Sequence, residues 1–476
     1  MVVQHNMQAA NANRMLNVTT SAQSKSTEKL SSGYRINRAA DDAAGLTISE
    51  KMRKQIKGLD RASTNAEDGV SAVQTAEGAL TEVHSMLQRM NELATQSANG
   101  TNSNTDRKAI QDEIDQLTTE IDRVSETTKF NETYLLKGDG ADKAHNVNAH
   151  DAGIDGVTLT DKGDKVDVTL KELKAGDKIS IAGKNYTIGG TSDDVDTLLK
   201  AANITGAVDN KVTINGTEYT YYDKASDGQT TLDKAGFYAT QPTAAKKDTK
   251  PDYADLDAIK NAKNSTITAG GKSVTTMGNV IDGVDDKDSS VITAKKAYML
   301  ETAEILKASG IGADKAPTAT GNDALDAATN KFSLTKGKVN YNDALSFNLH
   351  VGADADMTNK ITVNIDSMNS AGLGVKGIKA DTEQDATYAI DAIADAISTV
   401  SSQRSSLGAV QNRLEHTINN LDNVVENTTS AESRIRDTDM AEEMVNYSKN
   451  NILAQAGQSM LAQANQSNQG VLSLLQ

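Results

Sequence analysis

Apolar residues recur every three or four positions along three long stretches of this chain, and that spacing constrains the fold more than any other feature. The stretches cover residues 66–96, 110–124 and 407–435, and only Glu77 interrupts the first. Each predicts an amphipathic helix whose apolar stripe is too narrow to be stable alone. We therefore expect the helices to pack together, which brings the two ends of the chain into contact. The stripes comprise Val70, Val73, Leu80, Val83, Leu87, Met90 and Ala94, then Ile110, Ile114, Leu117, Ile121 and Val124, and finally Leu407, Val410, Leu414, Thr417, Leu421, Val424, Thr428, Ala431 and Ile435.

A cluster of turn-forming residues separates the first two helices. Residues 97–106 read SANGTNSNTD, a composition typical of a reverse connection. We expect the two helices to fold back on each other at this point. Asp106 is the predicted N-cap of the second helix, because its short carboxylate can accept a backbone N–H of the first turn.

Helix breakers are concentrated in the middle of the chain. All 3 prolines and 24 of the 34 glycines lie between residues 139 and 377. Four segments alternate apolar and polar residues, as β-strands do, and Asn215-Gly216 between two such runs is a strong hairpin signal. The alternating segments are 157–170, 178–188, 211–222 and 360–365, and the stretch Ala294–Ala308 is helical in pattern. The predicted fold class is α+β, with a long coiled-coil-like helical bundle from paired N- and C-terminal segments and a β-rich central insertion.

Composition narrows the classes of function. The chain has no cysteine, which excludes a disulfide framework and a cysteine zinc site, and only 3% of its residues are aromatic. The net charge of −16 argues against electrostatic binding to nucleic acid or anionic lipid. The first residues lack the basic and apolar regions of a secretory signal, and no apolar run is long enough to span a membrane.

The two ends of the chain are weakly apolar and rich in Asn, Gln and Ser. Residues 1–32 carry sparse apolar positions, and no charged side chain follows Lys449. Such segments cannot bury their apolar residues alone. We expect residues 1–32 and 440–476 to become ordered only against other copies of the chain.

Five segments, in this order along the chain, resemble bacterial flagellins. They are Leu30–Ile48 (LSSGYRINRAADDAAGLTI), Gln88–Gln96 (QRMNELATQ), Ile121–Val124 (IDRV), Leu407–Arg413 (LGAVQNR) and Ile452–Leu475 (ILAQAGQSMLAQANQSNQGVLSLL). The resemblance implies a structural subunit that self-assembles into the flagellar filament for motility. It also implies that the chain is divided into five segments. These are residues 1–46 (inner-tube helix and spoke), 47–138 (rod domain), 139–344 (variable outer insertion, one or two β-rich domains), 345–436 (rod domain) and 437–476 (inner-tube helix).

The linker after the first helix resembles the flagellin spoke, where subunits contact one another. Gly33 and Gly45 interrupt the helical pattern, and Asp41 and Asp42 are predicted to cap the helix that follows. The spoke and assembly residues implied by the resemblance are Leu30, Gly33, Arg35, Ile36, Asn37, Asp41, Asp42 and Gly45.

Residues 88–96 resemble the part of flagellins that Toll-like receptor 5 binds. The resemblance implies a contact core formed by Arg89, Leu93 and Glu113, on a surface shared with the subunit interface. We expect these three side chains on an outer helical face of the free chain. The receptor-binding and interface residues carried over by position are Gln88, Arg89, Leu93, Gln96, Glu113 and Arg413.

The resemblance assigns the apolar residues of the C-terminal segment to packing in the inner tube. They are Met440, Met444, Ile452, Leu453, Met460, Leu461, Val471, Leu472, Leu474 and Leu475. The implied partners are further copies in a homopolymer, an export chaperone, the filament cap, the hook-junction proteins and host Toll-like receptor 5. Neither nucleic acid nor membrane insertion is expected. The implied location is the extracellular flagellum, reached through the flagellar type III apparatus without a cleaved signal peptide.

No catalytic constellation is found in the sequence. The six histidines form no HExxH motif, and neither a P-loop nor a GxSxG motif occurs. His145, His150 and Asp151 have side chains that can bind metals, but a solvated Gly/Asn-rich loop is the better interpretation. We expect a non-enzyme without cofactor or metal. Two alternatives stay open: a hook–filament junction protein with the same helical ends, and a flagellin whose insertion is an adhesin or a displayed enzyme.

Overall fold

The computed structural model describes residues 6–223, 235–240, 253–320 and 330–474. The chain forms two compact units. The first consists of Met1–Gln74, Phe347–Val363 and Leu407–Gln476, and the second of Thr75–Ser346 and Asn364–Ser406. These boundaries differ from the five predicted segments, which stay a prediction.

Long helices occupy both ends of the chain and strands occupy its middle, which confirms the predicted α+β class. The helices of the described ranges are α1 (Met7–Ser32), α2 (Ala43–Ser97), α3 (Asn104–Thr127), α4 (Ser192–Ala201), α5 (Leu256–Lys260), α6 (Ala294–Ala308), α7 (Glu383–Arg436) and α8 (Met440–Leu474). The strands are β1 (Lys129–Phe130), β2 (Thr133–Tyr134), β3 (Asp139–Asn146), β4 (Thr158–Asp161), β5 (Lys165–Thr169), β6 (Lys178–Ile181), β7 (Lys184–Gly190), β8 (Lys211–Ile214), β9 (Thr217–Tyr222), β10 (Gly236–Tyr238), β11 (Tyr253–Ala254), β12 (Thr266–Ala269), β13 (Lys272–Thr276), β14 (Val280–Ile281), β15 (Val284–Asp285), β16 (Val291–Ile292), β17 (Thr318–Thr320), β18 (Lys331–Thr335), β19 (Lys338–Asp343), β20 (Leu345–His350) and β21 (Lys360–Ile365).

The alternating segments form strands as predicted. An eleven-stranded sheet has the order β11-β10-β9-β8-β12-β13-β7-β16-β15-β14, with β6 also paired to β7. A four-stranded sheet has the order β17-β18-β5-β4, and the pairs β1-β2, β3-β19 and β20-β21 stand apart. The predicted hairpin joins β8 to β9: Ile214 pairs with Thr217, and Asn215 and Gly216 have φ of 48° and 82°. Positive φ at both turn residues is the geometry that an Asn-Gly pair favours.

In the second unit, the predicted apolar stripes of α2 and α3 are buried. Leu80, Leu87 and Met90 on α2 and Ile114 and Ile121 on α3 have at most 2% of their surface exposed. The prediction that Asp106 is the N-cap of α3 is wrong by three residues. Ser103 is the N-cap: its Oγ accepts the Asp106 N–H at 3.2 Å, while Asp106 Oδ2 accepts the Ser103 N–H at 3.1 Å. This reciprocal pair is a capping box, in which the acidic residue occupies the third helical position.

Two large apolar cores lie among the described residues of the central insertion. One contains α4 and the strands around it, with Leu199, Phe237 and Ile267 buried together. The other contains β5, β18 and α6, and the ring of Tyr388 from α7 completes it at 5% exposure. The Tyr388 hydroxyl donates to Glu304 Oε2 at 2.8 Å. The second core therefore depends on a residue outside the predicted insertion.

In the first unit, residues from the two ends of the chain pack together, as predicted. Ala66 of α2, Leu414 of α7 and Ile361 of β21 form one buried cluster. The expectation that the whole 407–435 stripe faces inward is wrong at Val424, which is 40% exposed. On a straight helix, the positions of a seven-residue repeat drift around the axis by about 20° per heptad. Val424 therefore lies outside the packed face, and Val425 is half-buried instead.

The terminal segments form α1 and α8, which pack against each other. Asn6 Nδ2 donates to the Ala464 backbone oxygen at 3.2 Å, Lys29 pairs with Glu443 at 3.7 Å, and Ala454 is 9% exposed. This corrects the expectation that the ends are ordered only against other copies. Each segment offers a partial apolar stripe, and the other segment of the same chain covers part of it.

A carboxyl group is buried on α6 with one oxygen unpartnered. Glu301 is 4% exposed, and its Oε2 has no hydrogen-bond partner in the described part of the chain. Burial raises its pKa to about 7. Glu301 is therefore protonated in acid and becomes a buried charge above neutral pH, which is unfavourable.

We expect the wild type to lose stability as the pH rises, and we expect the Glu301→Gln variant not to show this loss. Because the folded pKa lies above the ordinary value of 4.5, the folded chain binds more protons than the unfolded chain between pH 4.5 and 7. The free energy of unfolding therefore falls as pH rises through that window, by up to about 3 kcal/mol. Urea unfolding followed by circular dichroism at several pH values measures this, with the exposed Glu126→Gln as control. Parallel pH profiles for the wild type and Glu301→Gln would contradict it.

Candidate functional site

The linkers after α1 and after α7 run side by side in the first unit. Gly33 ends α1 with a left-handed φ of 77°, and its N–H donates to the Lys29 oxygen at 2.8 Å. The Thr438 N–H donates to the Gly33 oxygen at 3.0 Å, and the Arg35 N–H donates to the Arg436 oxygen at 2.7 Å. This short antiparallel contact fixes where α1 and α8 leave the linkers.

Two arginines reinforce the contact between the linkers. Arg35 Nη2 donates to the backbone oxygens of Ile435 at 2.5 Å and Arg434 at 3.3 Å, which satisfies the C-terminal end of α7. The Arg436 guanidinium lies 4.9 Å from the centre of the Tyr34 ring, within the range of a cation–π interaction. Its Nη1 also donates to Glu50 Oε1 at 2.7 Å, and this hydrogen bond holds the pKa of Glu50 below its ordinary value.

The two aspartates predicted to cap α2 have different roles. Asp42 Oδ1 accepts the Gly45 N–H at 2.8 Å and caps the helix, as predicted. Asp41 Oδ2 instead accepts the N–H groups of Arg38 at 2.9 Å and Asn37 at 3.2 Å, which lower the pKa of Asp41 and order the linker. Asp41 therefore does not cap α2.

Gly45 does not interrupt a helix, contrary to the prediction. It lies inside the first turn of α2. A Cβ at this position would lie 2.4 Å from Asp42 Oδ2 and 2.7 Å from Cδ1 of the buried Ile36. Glycine is required because the cap and the linker pack against the helix here. Leu30, the first of the predicted spoke residues, is half-buried on α1.

In the second unit, Arg89 and Glu113 come together as predicted. Arg89 Nε donates to Glu113 Oε1 at 2.9 Å, and Arg89 Nη1 donates to Glu92 Oε2 at 3.2 Å. The hydrogen bond that Arg89 donates to Glu113, followed by the one it donates to Glu92, raises the pKa of Arg89. The Arg89 side chain is 50% exposed and the Glu113 side chain 45%. This is a solvent-facing ion-pair network with donor and acceptor atoms still free to contact another molecule.

The other predicted receptor-contact residues are placed differently. Leu93 is 2% exposed, so the prediction that it lies on an outer face is wrong. It lies three residues after Met90 and beside Ala94, so it widens the buried stripe of α2. Gln88 is exposed and contacts the His84 ring at 3.1 Å, and Gln96 is exposed near the end of the helix. Arg413 is exposed on α7 but belongs to the first unit.

Large apolar side chains are exposed on both α1 and α8. On α8, five of the predicted inner-tube residues are at least 47% exposed, and Leu461 is half-buried. The five are Met440, Met444, Ile452, Leu453 and Met460. Val445 on α8 (68%) and Met7, Met15 and Val18 on α1 (60–68%) are also exposed. None of these four residues was predicted as an inner-tube residue, although the spacing of the apolar residues on α1 indicated an apolar helix face. The side chains of Val471, Leu472 and Leu474, and the whole of Leu475, lie outside the described residues.

The histidines considered as metal ligands have other surroundings. The His145 ring stacks on Tyr341 at 4.0 Å between centroids, and its Nε2 lies 3.4 Å from Asp343 Oδ1. In the described ranges, no group of three or more His, Cys, Asp or Glu side chains is arranged to hold a metal ion. No described helix combines the length and the apolar character needed to cross a membrane.

Comparison with known proteins matches both helical ends. The bacterial flagellin N-terminal helical region matches residues 3–141, and the bacterial flagellin C-terminal helical region matches residues 390–475. Among solved structures, FliC from Burkholderia pseudomallei is 17% identical, covering 72% of this chain and 99% of its own, with a TM-score of 0.24. A flagellar hook-associated protein from Legionella pneumophila is 14% identical, covering 81% and 98%, with a TM-score of 0.32.

Relatives that match this chain over its full length have a higher sequence identity than these solved structures. Flagellin of Salmonella typhimurium is 35% identical over 500 residues, covering 97% of this chain and 96% of the relative. Flagellin of Clostridium tyrobutyricum is 40% identical over 475 residues, covering 98% of this chain and 100% of the relative. The match therefore includes the central insertion as well as the helical ends, and this chain belongs to the bacterial flagellin family.

Proposed function

We propose that this chain is a structural subunit that assembles with copies of itself into the flagellar filament. The observation that carries the proposal is the exposed apolar surface of α1 and α8. Side chains such as Val445, Ile452 and Met460 are 64–68% exposed, and no charged residue follows Lys449 to keep this face in water. A surface of this kind is typical of an interface that a partner covers.

Further copies of the chain are the proposed partner because the surface extends along both terminal helices. Burial of one large aliphatic side chain contributes roughly 1.5–3 kcal/mol, so several per subunit outweigh the entropy lost on association. The role is structural and not enzymatic, and the filament lies outside the cell. Export through the flagellar type III apparatus, with a dedicated chaperone, cap and junction proteins, belongs to the same proposal.

A hook–filament junction protein is the alternative with the same helical ends. A junction protein occupies one position between two other structures, whereas a filament subunit adds to itself without limit. Long filaments grown from the purified chain alone would support the filament subunit. A chain that never extends beyond a short ring would support the junction protein.

We also propose that the free chain is recognised by Toll-like receptor 5 through the Arg89 network. The resemblance of residues 88–96 suggests this receptor, and the half-exposed pair of Arg89 and Glu113 supports it. An arginine ordered by two carboxylates loses little side-chain freedom on binding, which suits an interface anchor. Leu93 does not contribute apolar contact in this proposal, because it is buried.

We expect the double variant Ile452→Gln/Met460→Gln to assemble poorly while staying folded. Both side chains are exposed in the single chain, so the substitutions cost little helix stability but remove apolar area from the subunit contact. The critical concentration for polymerisation, measured by sedimentation, should rise at least about tenfold. Ile281→Gln, at an equally exposed isoleucine of the insertion (64%), is the matched control. Equal critical concentrations for the double variant and the wild type would refute the proposed surface.

Arg89→Ala should weaken receptor binding by at least about tenfold if Arg89 is a central anchor. Arg123→Ala is the matched control, because Arg123 also forms an exposed ion pair, with Glu120 on α3. Affinity for the purified receptor ectodomain is measured for the monomer of each variant. Affinities of Arg89→Ala and wild type within twofold of each other would exclude this site. Leu93→Ala is unsuitable, because truncating a buried leucine destabilises the fold itself.

A further inference from the structure

The tripeptide Asn-Gly-Thr occurs twice in the sequence, and the structure holds the two copies in different ways. One begins with Asn99-Gly100 in the turn between α2 and α3, and the other with Asn215-Gly216 in the hairpin between β8 and β9. All four of these residues are exposed. An asparagine before a glycine can lose its side-chain amide without an enzyme, because no Cβ on the glycine hinders attack by its backbone nitrogen. The surroundings of each asparagine therefore decide how readily it reacts.

The Asn99 side chain is folded back over the peptide bond that follows it. Its Oδ1 accepts both the N–H and the hydroxyl of Thr101, each at 3.1 Å. A side-chain oxygen bonded to the N–H two residues later closes an Asx-turn, and the Gly100 nitrogen lies within that ring, beside Asn99 Cγ. No described residue accepts the Gly100 N–H in a hydrogen bond. This nitrogen is therefore not held away from the carbon that it would attack.

The Asn215 side chain is turned away from its own glycine. Its Oδ1 accepts the Thr266 N–H at 2.8 Å, and its Nδ2 donates to Ser265 Oγ at 3.3 Å. Thr266 begins β12, which pairs with β8, so the amide is fixed against a neighbouring strand. Asn215-Gly216 therefore has the same local sequence and exposure as Asn99-Gly100, but its fold keeps the amide away from the attacking nitrogen.

We infer that Asn99 is a site of spontaneous deamidation, a covalent change that does not depend on the proposed assembly. The Gly100 nitrogen forms a bond to Asn99 Cγ and closes a cyclic imide. The bond between Cγ and Nδ2 breaks, and ammonia leaves with the proton that the Gly100 nitrogen loses. Water then opens the imide at either of its carbonyls, which gives aspartate or isoaspartate. The two donors of Thr101 face the oxygen on which negative charge develops during the attack, as in an oxyanion hole.

A carboxylate and a guanidinium beside the turn suit the reaction and its product. A Cβ at Gly100 would lie 3.6 Å from Glu383 Oε2, so this carboxylate is placed to take up the proton of the Gly100 nitrogen, directly or through water. The buried Arg107 donates to the Asn99 backbone oxygen at 3.0 Å. Either product adds a negative charge close to this guanidinium, and the attraction between them stabilises the product. The turn can therefore hold the charged product.

Peptide mapping by mass spectrometry, on the full chain incubated in mildly alkaline buffer, tests this site. Asn99 should convert at least about tenfold faster than Asn215 in the folded chain, because only Asn99 is held close to its attacking nitrogen. In urea the two rates should become similar, because the local sequences are the same. Thr101→Val removes the hydroxyl donor and should slow the conversion of Asn99 about fivefold. Thr217→Val, at the threonine of the other tripeptide, is the matched control and should leave that rate unchanged.

Gly100→Ala is a second test, in which the turn should stay folded. Gly100 has no positive φ, and a Cβ there meets no atom closer than 3.6 Å. The added methyl group hinders the backbone nitrogen, so the conversion of Asn99 should slow at least about tenfold. Circular dichroism of the variant shows whether it is folded.

Three results would overturn the inference. Asn99 and Asn215 could convert at equal rates in the folded chain, which would mean that the fold does not select Asn99. Asn99 could stay unmodified in the folded chain and convert only in urea, which would show that the turn protects it. A folded Gly100→Ala variant could convert at the wild-type rate, which would exclude attack by the Gly100 nitrogen.

Discussion

The fold depends on burying narrow apolar helix stripes against partners that are far away in the chain. In the first unit, Ala66 on α2 is buried with Leu414 on α7, and Ser63 and Asp422, 359 positions apart, are joined by a hydrogen bond. Neither helix presents enough apolar surface to be stable in isolation. The N- and C-terminal regions must therefore fold together, and the strands of the middle of the chain lie between them in the sequence.

The linkers between the long helices show how such a pairing is made specific. Apolar stripes alone allow neighbouring helices to slide by a turn. The antiparallel contact between Tyr34 and Asp437, the Arg35 bonds to the end of α7 and the Arg436–Glu50 pair set the register at one end. Arg436 is 13% exposed at its side chain, and desolvation makes its hydrogen bonds and its contact with Tyr34 stronger than they would be in water.

Among the described apolar helix faces, some are buried within the single chain and others stay exposed to solvent. The apolar stripes of α3 and of the part of α2 in the second unit are buried, and Leu93 is buried with them. Several apolar residues of α1 and α8, such as Met15 and Ile452, are instead more than 60% exposed in the single chain. Leaving several methionines and aliphatic side chains of two neighbouring helices in water is unfavourable, and the proposed assembly would cover them.

The sequence by itself determined the elements whose signals are local. Seven-residue periodicity predicts α2, α3 and α7, alternation predicts β4–β9 and β21, and Asn215-Gly216 predicts its hairpin, because each depends on backbone geometry within a few residues. The family was likewise recognisable from short motifs. Among the candidate site residues, Arg89, Glu113 and the apolar residues of α8 were singled out by the resemblance to flagellins and not by helix spacing.

Only the tertiary structure decided which side of each helix is covered. Leu93 is buried and Val424 exposed because the width and drift of a stripe depend on the partner packed against it. Gly45 is needed because the side chains of Ile36 and Asp42 leave no room for a Cβ atom. The helical sequence around Gly45 does not predict this close approach. Tyr34, Glu50 and Arg436 meet across 386 positions or more, a proximity without any local signature. Secondary structure is encoded by neighbours in sequence, whereas burial and long-range charge pairing are properties of the assembled packing.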